Sequence, residues 1–156
     1  MGDFSFTVDG FEKASAKIGA LNLSHAEARE LMRAIGEETD LQTTKHFETG
    51  SGPEGKWPKL SEATKKINPK RRSGHPLSNI GRLKGSISLS YPNSFTAIIG
   101  TNVHYAKYHQ WGPRTLNMFG RGIRATLPRR MFLGWSPAEA AKINRIVANY
   151  LTRRAK

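Results

Sequence analysis

The chain has 156 residues, no cysteine, and 25 Lys plus Arg against 12 Asp plus Glu, a formal net charge of +13. That length predicts one domain over 1–156, and the missing cysteines exclude disulfides, thiolate nucleophiles and Cys-based zinc motifs. No apolar run approaches the ~18 residues of a membrane span, and the opening MGDFSFTVDG shows no signal-peptide pattern, so no membrane contact and synthesis in a cytoplasm are expected.

Phe4, Phe6 and Val8 alternate with Ser5 and Thr7 as in a short strand, and Phe11, Ala14, Ile18 and Leu21 follow at helical spacing. Ser24 with Glu27 makes a capping box for a helix whose apolar face is Ala28, Leu31, Met32 and Ile35. This helix is expected to reach about Phe47, with a stripe that thins after Ile35, and Gly50, Gly52, Pro53 and Gly55 end it. Residues 50–76 read as an extended arm with Trp57 and Leu60 as anchors and a short helix capped by Ser61. Leu77, Ile80 and Leu83 suggest a further short helix.

Ile87, Leu89 and Tyr91 alternate with serines, which predicts a strand, a turn at 92–94 and a partner strand over 95–100. Tyr105, Tyr108 and His109 share a helical face that ends at Trp111-Gly112-Pro113, with Gly112 expected in a left-handed cap. Residues 113–130 read as a second arm, a long loop or hairpin carrying Arg114, Arg121, Arg124, Arg129 and Arg130. Ser136, Pro137 and Glu139 start a terminal helix with Ile143, Ile146, Val147, Tyr150 and Leu151 inward and Arg153 and Arg154 at its C-terminal dipole. The fold class is α+β, with helices at both ends around a small antiparallel sheet and long loop-rich arms.

Charge divides along this path. Residues 1–62 hold 7 basic and 11 acidic side chains; residues 63–156 hold 18 basic and one acidic, Glu139. A solvated basic face is one reading, and a partner of opposite sign, protein or nucleic acid, is the other.

Motifs for chemistry fail on context. Gly50-Ser-Gly52-Pro-Glu-Gly55 spells a dinucleotide fingerprint but follows a helix, where that motif needs a strand before it and a helix after it. His104 and His109 are five apart and diverge on a helix, and no Asp or Glu lies between residues 63 and 138 to complete a metal site locally. No nucleophile elbow or paired carboxylate is present, so neither cofactor, metal nor catalysis is expected. The basic runs Lys65, Lys66, Lys70, Arg71, Arg72 and Arg121, Arg124, Arg129, Arg130 suit phosphate or assembly contacts, yet no helix-turn-helix, zinc-finger or RNP pattern accompanies them. The three tryptophans sit where core or subunit anchors belong.

Several spaced motifs together resemble the phage virion-morphogenesis, or tail-completion, family of Mu-like tailed phages. They are Gly55-Lys-Trp57-Pro-Lys-Leu60 with Thr64, Leu77-x-x-x-Gly81-Arg-Leu83-x-x-Ser86-Ile87, and Ile99-Gly100. Tyr105-Ala106-x-x-His109-Gln110-Trp111-Gly112 and Pro128-Arg129-Arg130-Met131-Phe132-Leu133-Gly134 complete the set. In the last block the family usually reads Pro-Ala-Arg-Pro-Phe-Leu-Gly, so Arg129 and Met131 stand here for alanine and proline. The resemblance covers about 45–152. It implies a non-enzymatic virion protein of the neck or tail end, acting through itself as a hexameric ring and through other neck, connector and tail proteins, with packaged DNA in the lumen. A free-standing basic nucleic-acid binder is the alternative.

Overall fold

The computed structural model describes residues 23–68, 71, 74–118 and 123–154. Element order is α1 (His25–Thr49), β1 (Ser51–Gly52), β2 (Gly55–Lys56), α2 (Glu62–Ile67), α3 (Arg82–Gly85), β3 (Ile87–Asn93), β4 (Thr96–Thr101), α4 (Ala106–Trp111), β5 (Arg114–Met118), β6 (Ile123–Leu127) and α5 (Pro137–Arg154). The class is α+β as read, but the strands form three separate antiparallel pairs, β1–β2, β3–β4 and β5–β6, rather than one sheet. The strand and helix expected within residues 4–21 lie outside the described residues.

The capping box starts α1: Ser24 N donates to Glu27 Oε2 at 2.8 Å and Glu27 N donates to Ser24 Oγ at 3.3 Å. Ala28, Leu31, Met32 and Ile35 are buried, and Thr39, Gln42, Thr43 and His46 continue the same stripe, also buried. Thr39 Oγ1 donates to Ile35 O at 2.7 Å, Gln42 Nε2 donates to Glu38 Oε1, and Thr43 and His46 are partnered too. The apolar signal fades after Ile35 because the inward positions turn polar while staying hydrogen-bonded.

Contacts divide the chain into two compact units, and α1 supplies residues to both. The first holds residues up to 42, 88–100 and those from 137 on. Its buried side chains are those of early α1 with Ile143, Val147 and Tyr150 of α5, the inward phase read from the sequence. Tyr150 Oη donates to Glu27 O at 3.1 Å, and Arg154 Nε pairs with Glu27 Oε1 at 2.9 Å. The Ser24 hydrogen bonds, and after them Arg154, hold the Glu27 carboxyl below its ordinary pKa. In β3 the half-buried residues Ile87, Leu89 and Tyr91 alternate with exposed Ser88 and Ser90. The turn falls one residue later than read, at Ser94-Phe95, because Asn93 Oδ1 accepts from Phe95 N at 2.9 Å.

The second unit holds residues 43–87 and 101–136 and buries Phe47, Trp57, Leu83, Val103, Ala106, Phe132 and Leu133. Phe47 sits edge-on to Trp57 (centroids 5.6 Å) and tilted against Phe132 (5.5 Å). Residues 50–60 are therefore no free arm: β1 pairs with β2 through Ser51↔Lys56 and Gly52↔Gly55, and Trp57 is locked into the core. The helix suggested by Leu77, Ile80 and Leu83 shrinks to α3, since Leu77 has φ 61 and Gly81 φ 75, neither able to continue a right-handed helix. The second arm is an antiparallel hairpin, with Arg114 opposite Leu127 and Met118 opposite Ile123.

Candidate functional site

The second unit is organised around the run 130–134, which is gripped through its main chain. Arg130 N donates to His109 O at 2.8 Å. Trp57 Nε1 donates to Met131 O at 2.8 Å. Gln110, buried on α4, accepts from Phe132 N and Leu133 N through one Oε1 (both 3.1 Å) and donates Nε2 to Leu133 O at 2.7 Å. His46 Nδ1 lies 2.9 Å from Phe132 O; a carbonyl only accepts, so this nitrogen carries the hydrogen. Side chains of α1, α4 and the segment after β2 thus do the work a neighbouring strand would do in a sheet.

Two glycines make room for this grip. A Cβ on Gly52 would stand 1.9 Å from Met131 O, and one on Gly112 would stand 2.6 Å from Tyr108 O. Gly112 has φ −49, so the expected left-handed cap is absent; the glycine is needed for close approach instead. Of the motif residues, Trp57, Leu83, Ala106, Phe132, Leu133 and Gly134 are buried, Tyr105 and His109 are half-buried, and Gly81 and Gly134 hold positive φ. Trp111, expected as a core or subunit anchor, is 47% exposed.

The described basic residues differ in their surroundings. Arg130 is only 4% exposed and donates Nε to Pro58 O at 2.9 Å and Nη2 to Lys59 O at 3.2 Å, which makes it part of the internal frame rather than a lumen contact. Arg129 Nη2 pairs with Glu54 Oε1 at 2.8 Å, an acid far off in sequence, and Lys65 pairs with Glu62 at 2.7 Å. Lys66 and Arg124 are exposed, and Lys70, Arg72 and Arg121 lie outside the described residues. Arg114 stacks over the Tyr108 ring at 4.5 Å.

One grouping was not visible in sequence: Arg71, His109 and Arg130. His109 Nδ1 and Arg71 Nε are both buried without a hydrogen-bond partner. Burial, then Arg130 and Arg71, push the His109 pKa down to about 4, so the ring is neutral at pH 7. Burial and Arg71 lower Arg130 in the same direction. Gln110 and His46 are clamps that the sequence does not mark: Gln110 stands in a motif without a role, and nothing near His46 in the chain points to its acceptor.

Among the described residues no three His, Asp or Glu side chains converge as metal ligands, and no helix is long and apolar enough to cross a membrane. The second unit is thus a small frame built of main-chain clamps on the 130–134 run. Residues 9–152 match the model of the phage virion morphogenesis family, and the chain belongs to that family. It is similar to the Mu-like prophage FluMu G protein 2 of Haemophilus influenzae, 31% identical over 143 residues and 92% of each chain. No solved structure matches it. The family's role is structural, in building the virion, rather than catalytic.

Proposed function

We propose that the chain is a neck or tail-end component that completes the tail and joins it to the head, as a hexameric ring around the DNA channel. The observation that supports a ring is the charge division, acidic before residue 63 and basic after it. A ring repeats one head-to-tail contact, so opposite signs on two parts of one chain favour closure. Exposed Leu41, Ile67, Ile80, Phe95, Ile98 and Trp111 add apolar surface for subunits and for other neck, connector and tail proteins. Lys66 and Arg124 remain available to a neighbour or to packaged DNA. On this reading the protein assembles in the host cytoplasm and ends in the virion.

Sedimentation of the purified chain and imaging of particles carrying a labelled copy test it. Expected are closed oligomers and label at the head–tail junction. A persistent monomer that retards DNA with steep salt dependence would instead favour the free nucleic-acid binder.

A further inference from the structure

We propose that the outward face of α5 is a contact for the phosphate backbone of duplex DNA, carried by Lys142, Arg145 and Arg153. The inference rests on the reading above only in bringing DNA near the chain; that reading does not name the element that meets it.

The apolar side of α5 is already occupied within its own unit. Ile143, Val147 and Tyr150 are buried, Tyr150 Oη donates to Glu27 O at 3.1 Å, and Arg154 Nε pairs with Glu27 Oε1 at 2.9 Å. At 3.6 residues per turn, Lys142, Arg145, Asn149 and Arg153 fall within about 80° of arc on the other side, over a length of about 16 Å. All four are exposed. Lys142, Arg145 and Arg153 have no ion-pair partner among the described residues. Arg153 sets its guanidinium carbon 5.8 Å from the centroid of the Tyr150 ring, a contact that steadies the side chain without using an N–H donor.

The surroundings of this row select its partner. The only acid of α5 is Glu139 in the first turn, so the charge along 142–153 is of one sign. On α1, by contrast, exposed Arg29 and Arg33 alternate with exposed Glu30 and Glu37. None of the large apolar side chains exposed among the described residues lies on α5. A protein partner wants an apolar centre to its contact and disfavours lysine there, whereas a phosphate backbone needs only spaced cations. A lipid surface is a poor match as well, because a helix that lies on lipid must offer its apolar side, and that of α5 is buried. A contact of this kind positions the duplex without reading its sequence.

The test is binding of the full chain to a random-sequence duplex of about 30 base pairs, followed by fluorescence anisotropy across salt concentration. The slope of log affinity against log salt counts phosphate contacts at about 0.9 each. Lys142→Gln, Arg145→Gln and Arg153→Gln are each expected to make it shallower by about that amount for every subunit that meets the duplex. The triple variant should bind at least about tenfold more weakly near 0.1 M salt, with circular dichroism as in the parent. Arg145→Lys, which keeps the charge, and Arg29→Gln on α1 are expected to keep the parent slope. A parent that does not bind the duplex, a triple variant with the parent slope, or an equal loss in Arg29→Gln overturns the proposal. A triple variant that keeps the slope but loses self-association in sedimentation assigns the face to a protein contact and rejects it too. A parent that stays monomeric and loses its slope in the triple variant upholds the α5 contact while the ring reading fails; closed oligomers with an unchanged slope do the reverse.

Discussion

Replacing Gln110 by Leu isolates what a single clamp contributes. The change keeps the volume of a buried side chain but removes three hydrogen bonds, those to Phe132 N, Leu133 N and Leu133 O. An unsatisfied buried backbone group costs about 1–3 kcal/mol, so three set a ceiling near ~9 kcal/mol. Local opening that admits water lowers this, and a loss of about 3–5 kcal/mol is expected. For a chain of this length that moves the melting midpoint down by about 6–20 °C. Denaturant unfolding measures the loss, and amide exchange at Phe132 and Leu133 locates it: both should exchange faster by about two orders of magnitude or more. A loss under about 1 kcal/mol, or amides as protected as in the parent, would show that the run is held by packing of Phe132 alone and that the clamp is incidental.

Gly52→Ala and Gly112→Val should each destabilise by about 2–4 kcal/mol, because their Cβ atoms would meet Met131 O at 1.9 Å and Tyr108 O at 2.6 Å; unchanged unfolding midpoints would contradict the close approaches. Arg130→Met should cost about 1–3 kcal/mol through the Pro58 and Lys59 carbonyls, and should raise the His109 pKa, since Arg130 is one cause of its depression, as imidazole NMR would record. His109 titrates near 6.5 when unfolded and about 4 when folded, so folding releases a proton between those values. Stability should therefore be full above pH 6.5 and fall by about 3 kcal/mol as pH drops to 4, a slope that His109→Gln flattens in pH-resolved denaturation.

Local signals were legible and long-range ones were not. The Ser24–Glu27 box, the Ile87–Tyr91 alternation, Ser61 as a cap and Pro137 at a helix start each write their structure within four residues of themselves. Gln110 reads as an ordinary helix residue, because its partners lie 22 and 23 positions away; His46 has its acceptor 86 positions away. Arg129 looked unpaired for the same reason, Glu54 being close only in the fold. Gly112 was read as essential with the wrong cause, since a sequence shows a missing Cβ but not the carbonyl that would strike it. Arg130 was placed on a surface because charge is ordinarily solvated, and only the two carbonyls it faces make its burial affordable.

The grip on the 130–134 run uses its carbonyls and three of its amides, and the amide of Met131 bonds nothing among the described residues. A residue that donates no amide hydrogen forfeits none on becoming proline, so a proline at 131 would lose no main-chain bond, only the contact of Arg129 Nη2 with Met131 Sδ at 3.6 Å. The segment is thus tolerant in its own spelling and intolerant in its holders: drift at Met131 is absorbed, whereas a change at His46, Trp57 or Gln110 undoes a neighbour that itself has not changed.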